Sequence, residues 1–150
     1  MANGCDSMDP LTLDNQLCFS VYSTAHAFTR LYRTLLDPLG LTYTQYIVLL
    51  ALLGEDGVSI KTLGERLALD SGTLTPVLRR LDRSGYVDRT RDQRDERIVR
   101  VRLTDQTRNR RAELERVHAT IADATGLDAD ELMHLQQQLR RLRAGLESGL

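Results

Sequence analysis

The spacing of apolar residues changes at Gly85, and this change limits the folds open to the chain. From Ser59 up to Gly85, apolar side chains recur every three or four residues in two short segments, which predicts two short helices joined by a tight turn. Beyond Gly85, segments 86–89 and 98–103 have the composition of strands, and the second alternates apolar residues with arginine. This order predicts a winged helix-turn-helix lobe at about residues 42–103.

The second of these short helices is the predicted DNA-recognition helix. Its N-cap is either Asp70 or Ser71, it runs to about Ser84, and Pro76 removes one backbone hydrogen bond inside it, which would shift or kink its first turn. Hydroxyl side chains near its N-terminus and arginines further along suit a helix that enters the major groove, although capping and solvation explain any one of them equally well. The candidates are Ser71, Thr73, Thr75, Arg79 and Arg80.

The charged tip between the two predicted strands is a second candidate for DNA contact. Arg97 could enter a minor groove, with Asp95 orienting its guanidinium, and Arg94 could contact a phosphate. Ordinary phosphate contact or solvation is the alternative for Arg97. From Arg79 to Arg102 there are nine arginines and five acidic residues, a local charge of +4 in a chain of net charge −1. This segregation suits a polyanionic partner, although charge alone slightly favours a solvated, salt-bridged surface.

Long amphipathic helices on either side of this lobe predict a homodimer. The first, at about residues 12–37, is too long for a small core alone, and the last carries a leucine seam of heptad spacing. This seam could instead pack against the chain's own preceding helix, which is expected to begin after Thr104 and end at Gly126. The regularity of the seam favours an intersubunit bundle. Its leucines are Leu132, Leu135, Leu139, Leu142 and Leu146.

The predicted fold is therefore mainly α with a small β-hairpin wing. We expect residues 11–150 to form a single domain, with dimerisation helices at about 12–37 and 105–148, after a mobile arm of residues 1–10.

Several other classes of protein are disfavoured. No apolar segment approaches the roughly 20 residues of a membrane span and the N-terminus is acidic, so we expect a cytoplasmic protein. Two cysteines, Cys5 and Cys18, are too few for a disulfide framework and lack zinc-site spacing. We find no catalytic triad, metal cluster or phosphate loop, and the three histidines are scattered, so we expect neither an enzyme nor a cofactor.

Several short motifs carry a resemblance to a known family. Leu63-Gly64, the segment LDRSGYV at 81–87 and Asp95-Glu96-Arg97 before Leu103-Thr104 resemble the MarR regulators. Three further motifs are similar to those of the organic hydroperoxide resistance subgroup, with one departure at Thr44, where that subgroup usually has proline. These motifs are LDNQLCF at 13–19, GLTYTQY at 40–46 and LDSGTLTP at 69–76.

The resemblance implies a dimeric repressor that leaves operator DNA when an organic hydroperoxide oxidises Cys18. Tyr22, Tyr32 and Tyr43 match the tyrosines that surround this cysteine in the subgroup. No cysteine follows Cys18, so the resemblance indicates the type that caps the oxidised sulfur with a low-molecular-weight thiol. Cys5 is then either incidental or an unusual resolving partner.

Helix geometry adds a constraint to this resemblance. Tyr22 lies one turn beyond Cys18, whereas Tyr32 lies fourteen residues away, which is about 21 Å along a helix. If Tyr32 contacts a Cys18, that cysteine belongs to the other subunit. The alternatives are a ligand-responsive MarR-type repressor of small aromatic compounds with an unreactive Cys18, and a thiol peroxidase.

Overall fold

Residues 11–149 are described by a computed structural model, in which seven α-helices and three short strands alternate with tight turns. They divide into two units, the first ending at Leu103 and the second beginning at Thr104. In the first unit the elements are α1 Leu17–Leu36, α2 Tyr43–Gly54, β1 Val58–Ser59, α3 Ile60–Leu67, α4 Ser71–Arg83, β2 Val87–Arg91 and β3 Val99–Leu103. In the second unit they are α5 Asp105–Asn109, α6 Arg111–Thr125 and α7 Ala129–Ser148. The predicted arm at 1–10 lies outside the described residues.

Side-chain caps start most of these helices. Thr42, Ser59 and Thr104 each accept a hydrogen bond from a backbone N–H in the first turn that follows. At α4 the cap is Asp70, whose carboxylate accepts from the Thr73 N–H at 2.9 Å. The predicted DNA-recognition helix therefore begins at Ser71, with Asp70 as its N-cap.

The turn between α3 and α4 is tight because two backbones approach closely. The Leu69 N–H donates to the Gly64 carbonyl at 2.9 Å, and a Cβ at Gly64 would lie 2.9 Å from the Leu69 carbonyl oxygen. Ala68 ends α3 in the left-handed region at φ 51°. Glycine at position 64 lets the chain reverse at this point, which sets the separation of the two helices.

The leucines of α4 form the inner face of the helix. Leu74, Leu78 and Leu81 are fully buried, and the neighbouring Val77 is half-buried. The helix continues through Pro76 without a break from Ser71 to Arg83. Burial of one stripe leaves the opposite face of α4 exposed.

The sheet has three strands, one more than predicted. β1 pairs antiparallel with β3, which also pairs with β2, so β3 is central. Val58 lies opposite Val101, and Val87 lies opposite Leu103. A two-residue strand has no period of its own, which is why the sequence pattern missed β1.

Two helix boundaries differ from the prediction. α1 begins at Leu17 rather than near residue 12, because Gln16 has extended backbone angles after a 3₁₀ turn at Leu13–Asn15. The helix expected to continue to Gly126 is divided at Arg110, whose ψ of 8° ends α5. Neither glycine nor proline marks that break, and the Arg110 guanidinium pairs locally with Glu113.

Apolar side chains are distributed unevenly over the long helices. In the second unit, α6 buries Leu114, Val117 and Ile121, while α7 exposes leucines of the predicted seam, among them Leu139 and Leu146. Among the described residues no single helix is long and apolar enough to span a membrane. α1 and α2 meet that test only when joined, and a bend of 75° separates them.

We predict that Gly64→Ala lowers the free energy of unfolding by about 1–3 kcal/mol, because the added methyl group would press on the Leu69 carbonyl. Gly54→Ala is the matched control, since Gly54 ends α2 with no atom within 4 Å of an added Cβ. Chemical denaturation of the two variants measures the difference. Equal stability for both would contradict the close approach.

Candidate functional site

The outer face of α4 carries the predicted DNA-reading side chains. Ser71, Thr75 and Arg79 follow one another at intervals of four residues and share one row of the helix. Thr73 and Arg80 lie on the other side of the exposed surface. All of these side chains are exposed except Thr75, which is half-buried.

The Thr73 hydroxyl already has a partner in the N-cap of α4. It donates to the second carboxylate oxygen of Asp70 at 2.8 Å, while the Thr73 N–H donates to the first. These bonds lower the pKa of Asp70 below its ordinary value of 3.8. The hydroxyl oxygen of Thr73 can still accept a hydrogen bond, but its proton is used in capping.

Arg94, Asp95 and Arg97 are exposed in the loop that joins β2 to β3. The Asp95 carboxylate accepts from the Arg97 backbone N–H at 3.0 Å. This contact holds the backbone of Arg97. The sequence predicted that Asp95 would orient the Arg97 guanidinium, whereas the contact in the structure is with the backbone N–H.

Asp92 organises the same loop from its base. Its carboxylate accepts from the backbone N–H groups of Arg94, at 2.8 Å, and Asp95, at 3.3 Å, and from the Arg100 guanidinium. These hydrogen bonds lower the pKa of Asp92 from 3.8 to about 2, and the one from Arg100 has the largest effect, followed by the one from the Arg94 N–H. Sequence reasoning missed both Asp92 and Arg100 as site residues because their pairing depends on the register of β2 and β3.

Cys18 is the second residue of α1 and its side chain is exposed. The helix start at Leu17 places this sulfur within the first turn, where the partial positive charge of the helix N-terminus is strongest. Tyr22 lies one turn further on and is 60% exposed. Its ring packs against the ring of His26, with 4.3 Å between centroids.

Tyr32 and Tyr43 belong to a separate aromatic cluster near the other end of α1. The Tyr32 ring lies 4.7 Å from that of Tyr43 and 5.6 Å from that of Tyr46. Burial, together with Tyr43 and Tyr46, raises the pKa of Tyr32 to about 12. Tyr46 is fully buried, and burial followed by Tyr43 raises its pKa too. Its place in the apolar pattern of α2 concealed its membership of this cluster.

The predicted sensor residues therefore form two groups within one chain. Cys18 and Tyr22 lie at the start of α1, and Tyr32 lies with Tyr43 about 21 Å further along the same continuous helix. Within residues 11–149, no group of three or more His, Cys, Asp or Glu side chains is arranged to hold a metal ion.

A helix-turn-helix followed by a β wing, with arginines exposed on both, defines a winged-helix transcriptional regulator. Residues 30–114 match the family model described as transcriptional regulator SarA/Rot. The chain belongs to this family of DNA-binding regulators, whose fold is of the MarR type. Because the family consists of transcriptional regulators, the prediction that this chain is not an enzyme is confirmed.

Two relatives match over nearly the whole chain. The HTH-type transcriptional regulator TtmR of Methylorubrum extorquens is 49% identical over 140 residues, covering 93% of this chain and 72% of that protein. The organic hydroperoxide resistance transcriptional regulator of Bacillus subtilis is 36% identical over 137 residues, covering 91% and 93%. The predicted resemblance to the MarR and organic hydroperoxide regulators is confirmed.

Solved structures agree with the fold. Reduced AbfR bound to DNA is 36% identical with a TM-score of 0.76, covering 89% of this chain and 94% of that chain. AbfR in its disulfide form is 36% identical with a TM-score of 0.66, covering 87% and 91%. The PcaV regulator of Streptomyces coelicolor in complex with its natural ligand is 30% identical with a TM-score of 0.80, covering 96% and 98%.

We predict that the stability contributed by Asp92 is lost in acid, as its carboxylate becomes protonated. A lowered carboxylate pKa contributes stability that is present above the unfolded value of 3.8 and is lost as the pH falls towards about 2. Asp92→Asn should therefore lose less thermal stability than wild type between pH 6 and pH 2, as measured by circular dichroism melts. Glu96→Gln removes an acid from the same loop that takes none of these hydrogen bonds, and it should follow wild type. Parallel curves for Asp92→Asn and wild type would refute the prediction.

Proposed function

We propose that this protein is a homodimeric repressor that leaves its operator when an organic hydroperoxide oxidises Cys18. The observation that carries the proposal is the exposed Cys18 thiol in the first turn of α1, with Tyr22 one turn away. The similarity to the Bacillus subtilis organic hydroperoxide resistance regulator supports it.

The position of Cys18 suits a reactive sulfur. The thiolate, rather than the thiol, attacks a peroxide, and Cys18 lies in the first turn of α1, at the end of the helix that carries partial positive charge. A tyrosine hydroxyl within reach could donate a hydrogen bond to the sulfur. Exposure of the side chain leaves a path for a small hydroperoxide.

The proposed reaction has two balanced steps. The Cys18 thiolate attacks one peroxide oxygen, a sulfur–oxygen bond forms, the oxygen–oxygen bond breaks, and the leaving alkoxide takes a proton to become an alcohol. The sulfur is oxidised to a sulfenic acid as the peroxide is reduced. A low-molecular-weight thiol then forms a sulfur–sulfur bond with Cys18, and water leaves.

Exposed apolar side chains on both long helices support a homodimer. Leu17, Val21 and Phe28 are exposed on α1, and Leu139 and Leu146 are exposed on α7. Apolar stripes of this length on two helices favour burial against a second copy, as in an intersubunit bundle. In such a dimer Tyr32 and Tyr43 of one subunit would lie beside Cys18 of the other.

Two elements would contact operator DNA. We assign Ser71, Thr73, Thr75, Arg79 and Arg80 of α4 to the major groove and its phosphates, and Arg94 and Arg97 of the loop between β2 and β3 to the minor groove or the phosphates beside it. Asp95 holds the backbone of Arg97 in this arrangement. A change in dimer geometry on oxidation would alter the spacing of the two α4 helices, which must match one turn of DNA.

A ligand-responsive repressor is the second candidate. The similarity to PcaV, whose structure contains its natural ligand, favours it. In that case a small aromatic compound would release the DNA and Cys18 would have no role. Both candidates share the DNA-binding lobe, so only the signal separates them.

We predict that Cys18→Ser keeps operator affinity within about twofold and abolishes release by cumene hydroperoxide, because serine cannot form the sulfenic acid. Fluorescence anisotropy with DNA from upstream of the protein's own gene measures both properties. Cys5→Ser is the matched control and should release DNA as wild type does. Release of Cys18→Ser by peroxide would refute redox sensing, and its release by a phenolic compound would favour the second candidate.

Mixed dimers test whether the sensor is shared between subunits. A dimer of Cys18→Ser with Tyr32→Phe keeps one Cys18 opposite an intact Tyr32 of the other subunit. A dimer of wild type with the double variant Cys18→Ser/Tyr32→Phe keeps one Cys18 opposite a phenylalanine. We predict that the first dimer reacts with peroxide faster than the second, as measured by the rate of DNA release. Faster reaction of the second dimer would show that Tyr32 acts on the Cys18 of its own subunit.

A further inference from the structure

Asp92 and Arg100 form a pair at the base of the wing that is partly shielded from solvent. The Asp92 side chain is only 13% exposed, although it lies in a loop of mostly charged residues. One of its oxygens accepts from Arg94 and Asp95 N–H groups, and the other accepts from the Arg100 guanidinium. All of these acceptor interactions hold the loop rather than leave the carboxylate to water.

Arg100 connects this loop to a different part of the first unit. It lies in the central strand β3, where it is opposite Thr90 of β2 and Ser59 of β1. Its Nη1 donates to the Gly57 carbonyl at 3.0 Å, while its Nε donates to Asp92. A single guanidinium therefore joins the wing loop to the turn before β1 and α3.

The Gly57 carbonyl is itself held in place. Gly57 has a φ of 70°, a conformation that favours glycine, and its N–H donates to the Asp56 carboxylate at 2.9 Å. The same Asp56 oxygen accepts from the Leu103 N–H at 2.9 Å, at the end of β3. Both anchors of Arg100 are thus fixed by neighbouring hydrogen bonds.

We infer that Asp92 and Arg100 are positioning residues for the wing, which hold the loop carrying Arg94 and Arg97 in the conformation that binds DNA. The inference rests on the proposed contact of those two arginines with DNA. It assigns the wing a preformed shape, so that little loop entropy is lost on binding.

The direction in which substitution of Asp92 changes DNA affinity separates this positioning role from a simple effect of charge. Asp92 is a negative charge close to the proposed DNA surface, so its removal by itself would strengthen binding to a polyanion. If Asp92 positions the loop, its removal weakens binding instead. Glu96, an exposed acid in the same loop that takes none of these hydrogen bonds, offers the matched control.

The experiment compares operator affinity of the full-length Asp92→Ala, Glu96→Ala and Arg94→Ala/Arg97→Ala variants over a range of salt concentrations. We expect Asp92→Ala to bind about tenfold more weakly and Glu96→Ala to bind equally or more tightly. Asp92→Ala should also show a shallower salt dependence, because fewer phosphates are contacted. When Asp92→Ala is combined with Arg94→Ala/Arg97→Ala, it should cause no further loss of operator affinity. If Asp92→Ala acted by general destabilisation, it would lower the affinity of that variant too.

Each outcome has a defined meaning. Wild-type affinity for Arg94→Ala/Arg97→Ala would overturn the proposed wing contact, while weak binding by that variant with wild-type or tighter binding by Asp92→Ala would overturn the positioning role alone. Arg100→Lys provides a second test if Asp92→Ala does not fold, because lysine keeps the charge but lacks the planar fork that reaches Asp92 and Gly57 together. Retention of full affinity by Arg100→Lys would also overturn the positioning role.

Discussion

Burial of the leucine stripe of α4 is the interaction on which the winged-helix lobe depends. Leu74, Leu78 and Leu81 have no exposed surface, and truncating one such side chain costs about 2–5 kcal/mol in typical cores. Because this stripe faces inward, the opposite face of α4 must face outward. The close approach of Gly64 to Leu69 then determines how α4 follows α3. The proposed recognition surface is thus a consequence of core packing together with one tight turn.

The wing depends on a different kind of interaction. Its loop contains few apolar side chains, so carboxylates organise it by accepting backbone N–H groups, as Asp92 does for Arg94 and Asp95 does for Arg97. Acidic residues in a basic segment look unfavourable for DNA binding if charge alone is counted. Their hydrogen bonds give them a structural role that the count conceals.

The proposed sensor follows from the length of α1. One continuous helix separates Cys18 from Tyr32, so a sensing site that uses both must be formed by two subunits. The same helix exposes apolar side chains near Cys18, which places the proposed dimer contact beside the proposed redox site. Sensing and assembly would then use one surface, and a modified Cys18 would act directly on subunit geometry.

Local signals in the sequence predicted the winged-helix class, most helix starts and the outward face of α4, because caps, glycines and apolar spacing act over a few residues. Interactions between distant residues were not predictable in this way. The strand β1, the Asp92–Arg100–Gly57 connection and the place of Tyr46 in the tyrosine cluster all depend on segments that meet only after folding. The break at Arg110 carries no glycine or proline. Short-range patterns therefore encode the elements and the class of protein, whereas strand register and helix packing decide which polar side chains meet.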